Sequence, residues 1–190
     1  MFGGYPRVII TEDKKEKEIV LKNIYNTYFL KEIKEILNLP DDYMLSRLLN
    51  YTNKRTELVK APKIFFLDNG FRNIVVKNFQ PLENRQDKGF LYENFVATEL
   101  VKAGFDVRYW RSKSKAEVDF VVEKSGEIAP LEIKSILSEP KITKSFHSFV
   151  GHYKPKTGYV LSEKLWKDTG KVKFRPVFFV ESLFRKYKFL

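Results

Sequence analysis

Cysteine is absent from the 190 residues, which excludes disulfides and thiolate chemistry and fits an intracellular protein. Histidine is scarce: His147 and His152 stand five residues apart, a spacing that suits no helical zinc pair. No apolar run approaches the ~20 residues of a membrane-spanning helix. The opening Met1-Phe-Gly-Gly-Tyr-Pro-Arg7 leads into a charged run, Thr11 to Glu18, rather than an apolar secretory core. A cytoplasmic protein that does not engage membranes is expected. Gly-x-x-x-x-Gly-Lys-Ser/Thr is also missing, so ATP hydrolysis by a phosphate-binding loop is not expected.

What is present is apolar, aromatic and basic. Hydrophobic residues make up 43% and aromatics 15%, with 17 Phe and 10 Tyr, so a packed core is expected and disorder is not. Lys and Arg number 35 against 24 Asp and Glu, a formal net charge of +11. That excess favours polyanionic partners such as DNA or RNA. It leans toward the second half, with 15 basic against 11 acidic residues over 1–85 and 20 against 13 over 86–190.

Periodicity outlines the elements. Residues 11–38 read as a helix, with Thr11 as N-cap and Ile19, Leu21, Ile24, Tyr28 and Ile33 at three- and four-residue steps. A short helix is expected through Tyr43–Leu49. Ala61–Gly70 reads as a strand closed by an Asp-Asn-Gly turn. The polar stretch Phe79–Asp87 is the natural boundary between a mostly helical region, 1–85, and a second region, 86–190. There the pattern predicts a helix over Gly89–Ala103 stopped by Gly104 and a strand over Phe105–Trp110. A basic turn follows, Arg111-Ser-Lys-Ser-Lys115, then two strands around a Gly turn. Beyond these come a helix fronted by Pro140, a strand over Gly158–Leu161 and another over Lys173–Val180. Helices alternating with strands in this way indicate an α/β fold with a mixed sheet.

The two strands, AEVDFVVEKSGEIAPLEIKS over 116–135, carry charge where a half-buried hairpin should be apolar. Strict alternation groups Val118, Phe120 and Val122 on one face and Asp119 on the other, with Glu132 and Lys134 opposite Leu131 and Ile133. Two carboxylates that meet in this way need a cation between them or a raised pKa. On the preceding helix Glu93 has Phe90, Val96, Ala97 and Leu100 at its near neighbours, so it should sit in the apolar stripe, with Glu99 on the polar side. An acid there is costly unless it is paired or bound to metal. Ordinary strand alternation, with Lys134 bonding Asp119 across a wet face, is the competing reading.

Glu93, Asp119, Glu132 and Lys134 on an α-β-β-β-α-β order resemble the PD-(D/E)xK nuclease superfamily, which includes restriction endonucleases and archaeal Holliday-junction resolvases. Val118 stands where the superfamily's name has Pro. The wider chain is similar to the nuclease-like C-terminal region of archaeal and bacterial AAA-type ATPases. The matching pieces are Phe2–Pro6, Asn23–Leu30, Lys60–Gly70, Gly89–Leu100, Glu117–Phe120 and Leu131–Lys134. The Leu49–Lys60 span is shorter than in such proteins. The resemblance implies a restriction-endonuclease-like mixed sheet with an αβββαβ core flanked by helices, preceded by a small helical region. It implies a metal-dependent endonuclease that hydrolyses DNA phosphodiester bonds, selective for junction-like structures. Asp119, Glu132 and the Ile133 carbonyl would hold Mg2+ or Mn2+, Glu93 would assist directly or through water, and Lys134 would orient water or stabilise charge on the phosphate. Arg111, Lys113 and Lys115 would grip DNA phosphates or form an ordinary solvated turn. The implied partners are DNA, a second copy of the chain and a separate AAA-type ATPase. The alternative is a non-catalytic DNA- or ATPase-binding module of the same fold.

Overall fold

The computed structural model describes residues 2–27, 65–66, 68–112, 115–124 and 126–184. They fall into two compact units, the first ending at Asp87 and the second beginning at Lys88. The expected helix over Tyr43–Leu49, the helical positions beyond Thr27 and the first residues of the expected strand over Ala61–Gly70 lie outside the described residues. Among the described residues no helix is long and apolar enough to cross a membrane.

The first unit holds α1 (Pro6–Ile10), α2 (Lys14–Ile24) and α3 (Asn69–Val75). Pro6 starts α1, where its missing N–H costs nothing. Asp13, not Thr11, caps α2, its carboxylate accepting the Lys15 and Glu16 amides at 2.9 Å. Thr11 instead follows α1 and returns its hydroxyl to the Arg7 carbonyl at 2.8 Å. The Asp-Asn-Gly segment opens a helix, with Asp68 as the N-cap of α3, and the described residues 65–66 carry no strand. One Asp68 oxygen accepts the Gly70 amide at 2.6 Å and the other the Gly4 amide at 2.8 Å, so two distant glycine motifs meet on one carboxylate. Val8, Leu21, Tyr25 and Phe71 form the core beneath. At the end of this unit Arg85, wholly buried at its side chain, bonds Asn73, the Asn78 carbonyl and both Asp87 oxygens. Arg72 reaches the same carboxylate at 2.7 Å.

The second unit is a six-stranded mixed sheet with helices. It contains α4 (Lys88–Lys102), β1 (Arg108–Arg111), β2 (Glu117–Lys124), β3 (Glu127–Ile133), α5 (Lys144–Tyr153), β4 (Gly158–Ser162), β5 (Lys167–Thr169), β6 (Val172–Pro176) and α6 (Val180–Phe184). The strand order is β1-β2-β3-β4-β6-β5. Pairing is antiparallel for β1–β2, β2–β3 and β5–β6, and parallel for β3–β4 and β4–β6. Gly104 ends α4 with a positive φ of 80°, as expected of a glycine past a helix C-terminus. Gly126 turns the β2–β3 hairpin at φ 77°.

Pro140 lies ahead of α5, and Thr143 caps it by accepting the Phe146 amide at 3.1 Å. The chain after Pro176 is no longer strand but a 3-10 turn, Val177–Phe179, leading into α6. The short β5 has no counterpart in the sequence pattern, because three residues are too few to show a period. Phe90 leaves the expected apolar stripe and is 66% exposed, while Leu91, Tyr92, Val96, Ala97 and Leu100 are buried.

The faces of the hairpin also differ from strict alternation. Val121 packs with Val118, Phe146 and Phe149 in one cluster, although Phe120 and Val121 pair with successive residues, Leu131 and Pro130, and so point to opposite faces. Val118 and Val121, three apart, therefore share a side. The cause is a bulge, since β1 advances from Arg108 to Trp110 while β2 runs from Val121 to Val118. On β3 both faces are buried: Leu131, Glu132 and Ile133 alike. The α5 side takes Glu132, whose neighbour on β4 is Val160 of the same cluster. Helix α4 packs against β3 as well. Each Phe fully buried here, such as Phe146 and Phe174, contributes roughly 1.5–3 kcal/mol over its exposed state.

Candidate active site

The site lies where β2 and β3 part. Their last pair is Phe120 with Leu131. Just beyond it the half-buried Asp119 uses its carboxylate to accept the Ile133 amide at 2.8 Å, a side chain taking the place of a backbone carbonyl. The bulge in β2 falls on this stretch, and bulges re-aim side chains. Asp119 is thereby fixed against the strand that carries Glu132.

Glu132 is 4% exposed. A carboxylate so deeply buried must be neutralised and hydrogen-bonded. The Lys134 ammonium stands 2.8 Å from one oxygen, and the Thr143 hydroxyl donates to the other at 3.1 Å. Thr143 uses its single proton on Glu132 and its lone pair on the Phe146 amide. The positive end of the α5 dipole therefore faces the acid as well. Lys134 bonds Glu132, not Asp119 as in the competing reading, and its own amide donates to the Leu161 carbonyl of β4 at 2.8 Å. Thr143 was not singled out from the sequence, although its position three residues ahead of Phe146 is an ordinary N-cap signal.

Glu93 sits in the middle of α4, half-buried, with Val96 and Ala97 buried beside it. Glu99 on the same helix pairs with Lys102 at 2.7 Å. In the basic turn, Arg111 ends β1 and approaches Glu117 at 3.7 Å. Lys115 is exposed at a positive φ of 63°, and Lys113 lies outside the described residues. The turn is closed by Ser112 and Ala116, each amide bonding the other residue's acceptor.

The structure thus brings Asp119, Ile133, Glu132 and Lys134 together and adds Thr143. Among the described residues no group of three or more His, Asp or Glu is arranged to hold a metal ion. Asp119 and Glu132 are hard-oxygen side chains of the type Mg2+ takes while keeping several waters, and here they engage the Ile133 amide and, for Glu132, Lys134 and Thr143.

Residues 88–171, from α4 through the β5–β6 turn, match the family described as a domain of unknown function, DUF4143. Two curated proteins are similar over the same scale, the uncharacterized proteins Mb2031c of Mycobacterium bovis and Rv2008c of Mycobacterium tuberculosis. Each is 34% identical over 93 residues, 47% of this chain and 21% of the relative. The chain therefore spans about a fifth of the length of these curated relatives. No solved structure matches. The sheet-bearing unit that carries Asp119 and Glu132 is thus the part of the chain that is similar to DUF4143.

Proposed function

We propose that the second unit is a metal-dependent endonuclease that hydrolyses DNA phosphodiester bonds, with a preference for junction-like structures. The observation that carries the reading is Asp119 bonded to the Ile133 amide, next in the chain to Glu132, at the opening of the β2–β3 ladder, with Lys134 bonded to Glu132. The run α4-β1-β2-β3-α5-β4, paired antiparallel, antiparallel and then parallel, supports it as well. This is the order implied by the resemblance to restriction endonucleases and junction resolvases.

Asp119, Glu132 and the Ile133 carbonyl would hold Mg2+ or Mn2+. Such an ion, when bound, polarises a phosphoryl oxygen and makes a bound water more acidic. Lys134, held at Glu132, can turn its ammonium protons toward charge developing on the phosphate. Arg111, Lys113 and Lys115, in the turn ahead of β2, would supply sequence-independent phosphate contacts. A second copy of the chain and a separate AAA-type ATPase are partners of the same proposal.

One observation favours a second reading, a non-catalytic module that binds DNA or an ATPase. Both Glu132 oxygens already have protein partners, and no group of three or more His, Asp or Glu among the described residues is arranged to hold a metal ion. Incubation of supercoiled and branched DNA with the protein in Mg2+ and in Mn2+ separates the two. The nuclease reading expects nicking that Asp119→Ala or Lys134→Ala abolishes, and a rise in Tm with Mn2+ that Asp119→Asn removes. DNA left intact in both metals, with salt-sensitive binding that survives Asp119→Ala, would establish the module instead.

A further inference from the structure

Trp166, just ahead of β5, is 55% exposed yet held from two directions. Beneath it the Arg175 guanidinium carbon lies 4.6 Å from the ring centroid. Arg175 is itself buried and anchored, donating to the Phe174 carbonyl at 2.7 Å, the Lys167 carbonyl at 3.3 Å and the Asp168 carboxylate. From the side, Phe179 meets the indole edge-on, with centroids 4.5 Å apart and planes at 84°. Phe178, 62% exposed, extends the surface 5.0 Å beyond the Phe179 ring. The indole thus combines exposure with little freedom to move, so an incoming flat group pays little further ordering cost.

The surroundings select the class of ligand. Lys167 and Lys171, on the same hairpin, are exposed and form no ion pair among the described residues. Lysine is depleted in protein–protein interfaces. Rigid aromatics interleaved with free cations instead characterise surfaces on which unpaired bases stack while the backbone is drawn to positive charge. The net charge of +11 points the same way.

We propose that Trp166 and Phe178, with Lys167 and Lys171 along the β5–β6 hairpin, form a base-stacking platform for single-stranded nucleic acid. The platform uses neither hairpin carboxylate and needs no metal, so it can be tested in EDTA whatever the outcome for the nuclease reading. The chain has two tryptophans, and Trp110→Phe leaves Trp166 as the sole tryptophan, excited selectively at the red edge of the absorption band, in the full-length protein. Titration with a short oligothymidylate at low salt should quench that emission saturably. In the anisotropy of a labelled oligothymidylate, Trp166→Leu should weaken binding roughly tenfold to hundredfold, the loss of one stacked base. Removing the indole uncovers Arg175, so Lys167→Glu with Lys171→Glu serves as the variant that leaves the packing untouched. It should weaken binding and flatten the salt dependence. Unquenched Trp166 emission, or wild-type affinity in both variants, would overturn the proposal. So would a Trp166→Leu protein that binds the oligonucleotide normally but loses self-association in sedimentation, an outcome that would assign the patch to a protein contact.

Discussion

Thr143 joins the head of α5 to the buried Glu132: its hydroxyl donates to the carboxylate at 3.1 Å and accepts the Phe146 amide at the same distance. Thr143→Val keeps the shape and loses both bonds. It should lower stability by about 1–2 kcal/mol, as loss of a cap and of a bond to a charged group together imply. Thr143→Ser should restore most of it. Urea denaturation of the three proteins measures the difference, and equal midpoints for Val and Ser would remove the hydroxyl from the account.

Gly3 adopts a φ of 82°, and a Cβ built there would coincide with the Asp68 carboxylate. Gly3→Ala must push Asp68 away from the amides of Gly4 and Gly70. A loss of about 2 kcal/mol or more is expected from strain and two broken bonds. Gly151, inside α5 with nothing within 4 Å of its would-be Cβ, is the control: Gly151→Ala should stabilise by about 0.5 kcal/mol. Thermal melts of the two variants should move in opposite directions.

The Arg85 guanidinium, followed by that of Arg72, holds the Asp87 carboxyl well below the usual carboxylate range against the opposing effect of burial. A pKa depressed in the folded state means that the unfolded chain binds the proton more readily. The contribution is therefore complete above the unfolded value of about 3.9 and is lost as pH falls below it toward the folded value. Asp87→Asn should cost about 3 kcal/mol at neutral pH, because it strips the charge partner from the wholly buried Arg85. It should also flatten the decline of stability below about pH 4. Chemical denaturation across pH tests both, and parallel curves for the two proteins would contradict the assignment.

Lys134→Met leaves the buried Glu132 carboxylate with Thr143 but without its cation. Lys134 is partly open to water, which moderates the effect, so a loss of about 2 kcal/mol is expected. Adding Glu132→Gln to this variant should recover part of the loss, and the double-mutant cycle gives the coupling directly. Strict additivity would mean that the pair contributes nothing to the fold.

The hairpin could be read in the chain because Gly126 and two apolar strands announce it, and Glu132 and Lys134 could be picked out by their charge. The bulge could not, since an extra residue in β2 shows only against its partner β1. It moves Val118 to the side of Phe146 and leaves Asp119 to bond Ile133, which simple alternation would not give. The Asp-Asn-Gly segment was ambiguous in principle, because the side chain that starts a helix also closes a turn. Its role is settled by Gly4, whose amide arrives from 64 residues away. Glu93 was placed by helical spacing alone, which says how a side chain faces its own helix and nothing of how near it comes to a strand.

The outer strands of the sheet are short, four residues in β1 and three in β5. Arginines bound the first, at Arg108 and Arg111, and Lys167 opens the second. An approaching chain therefore finds few unpaired amides and meets repulsive charge, the usual protection against edge-to-edge growth. This sheet therefore offers little template for fibrillar growth, and copies that associate across its edges would meet through side chains, not through an extended ladder.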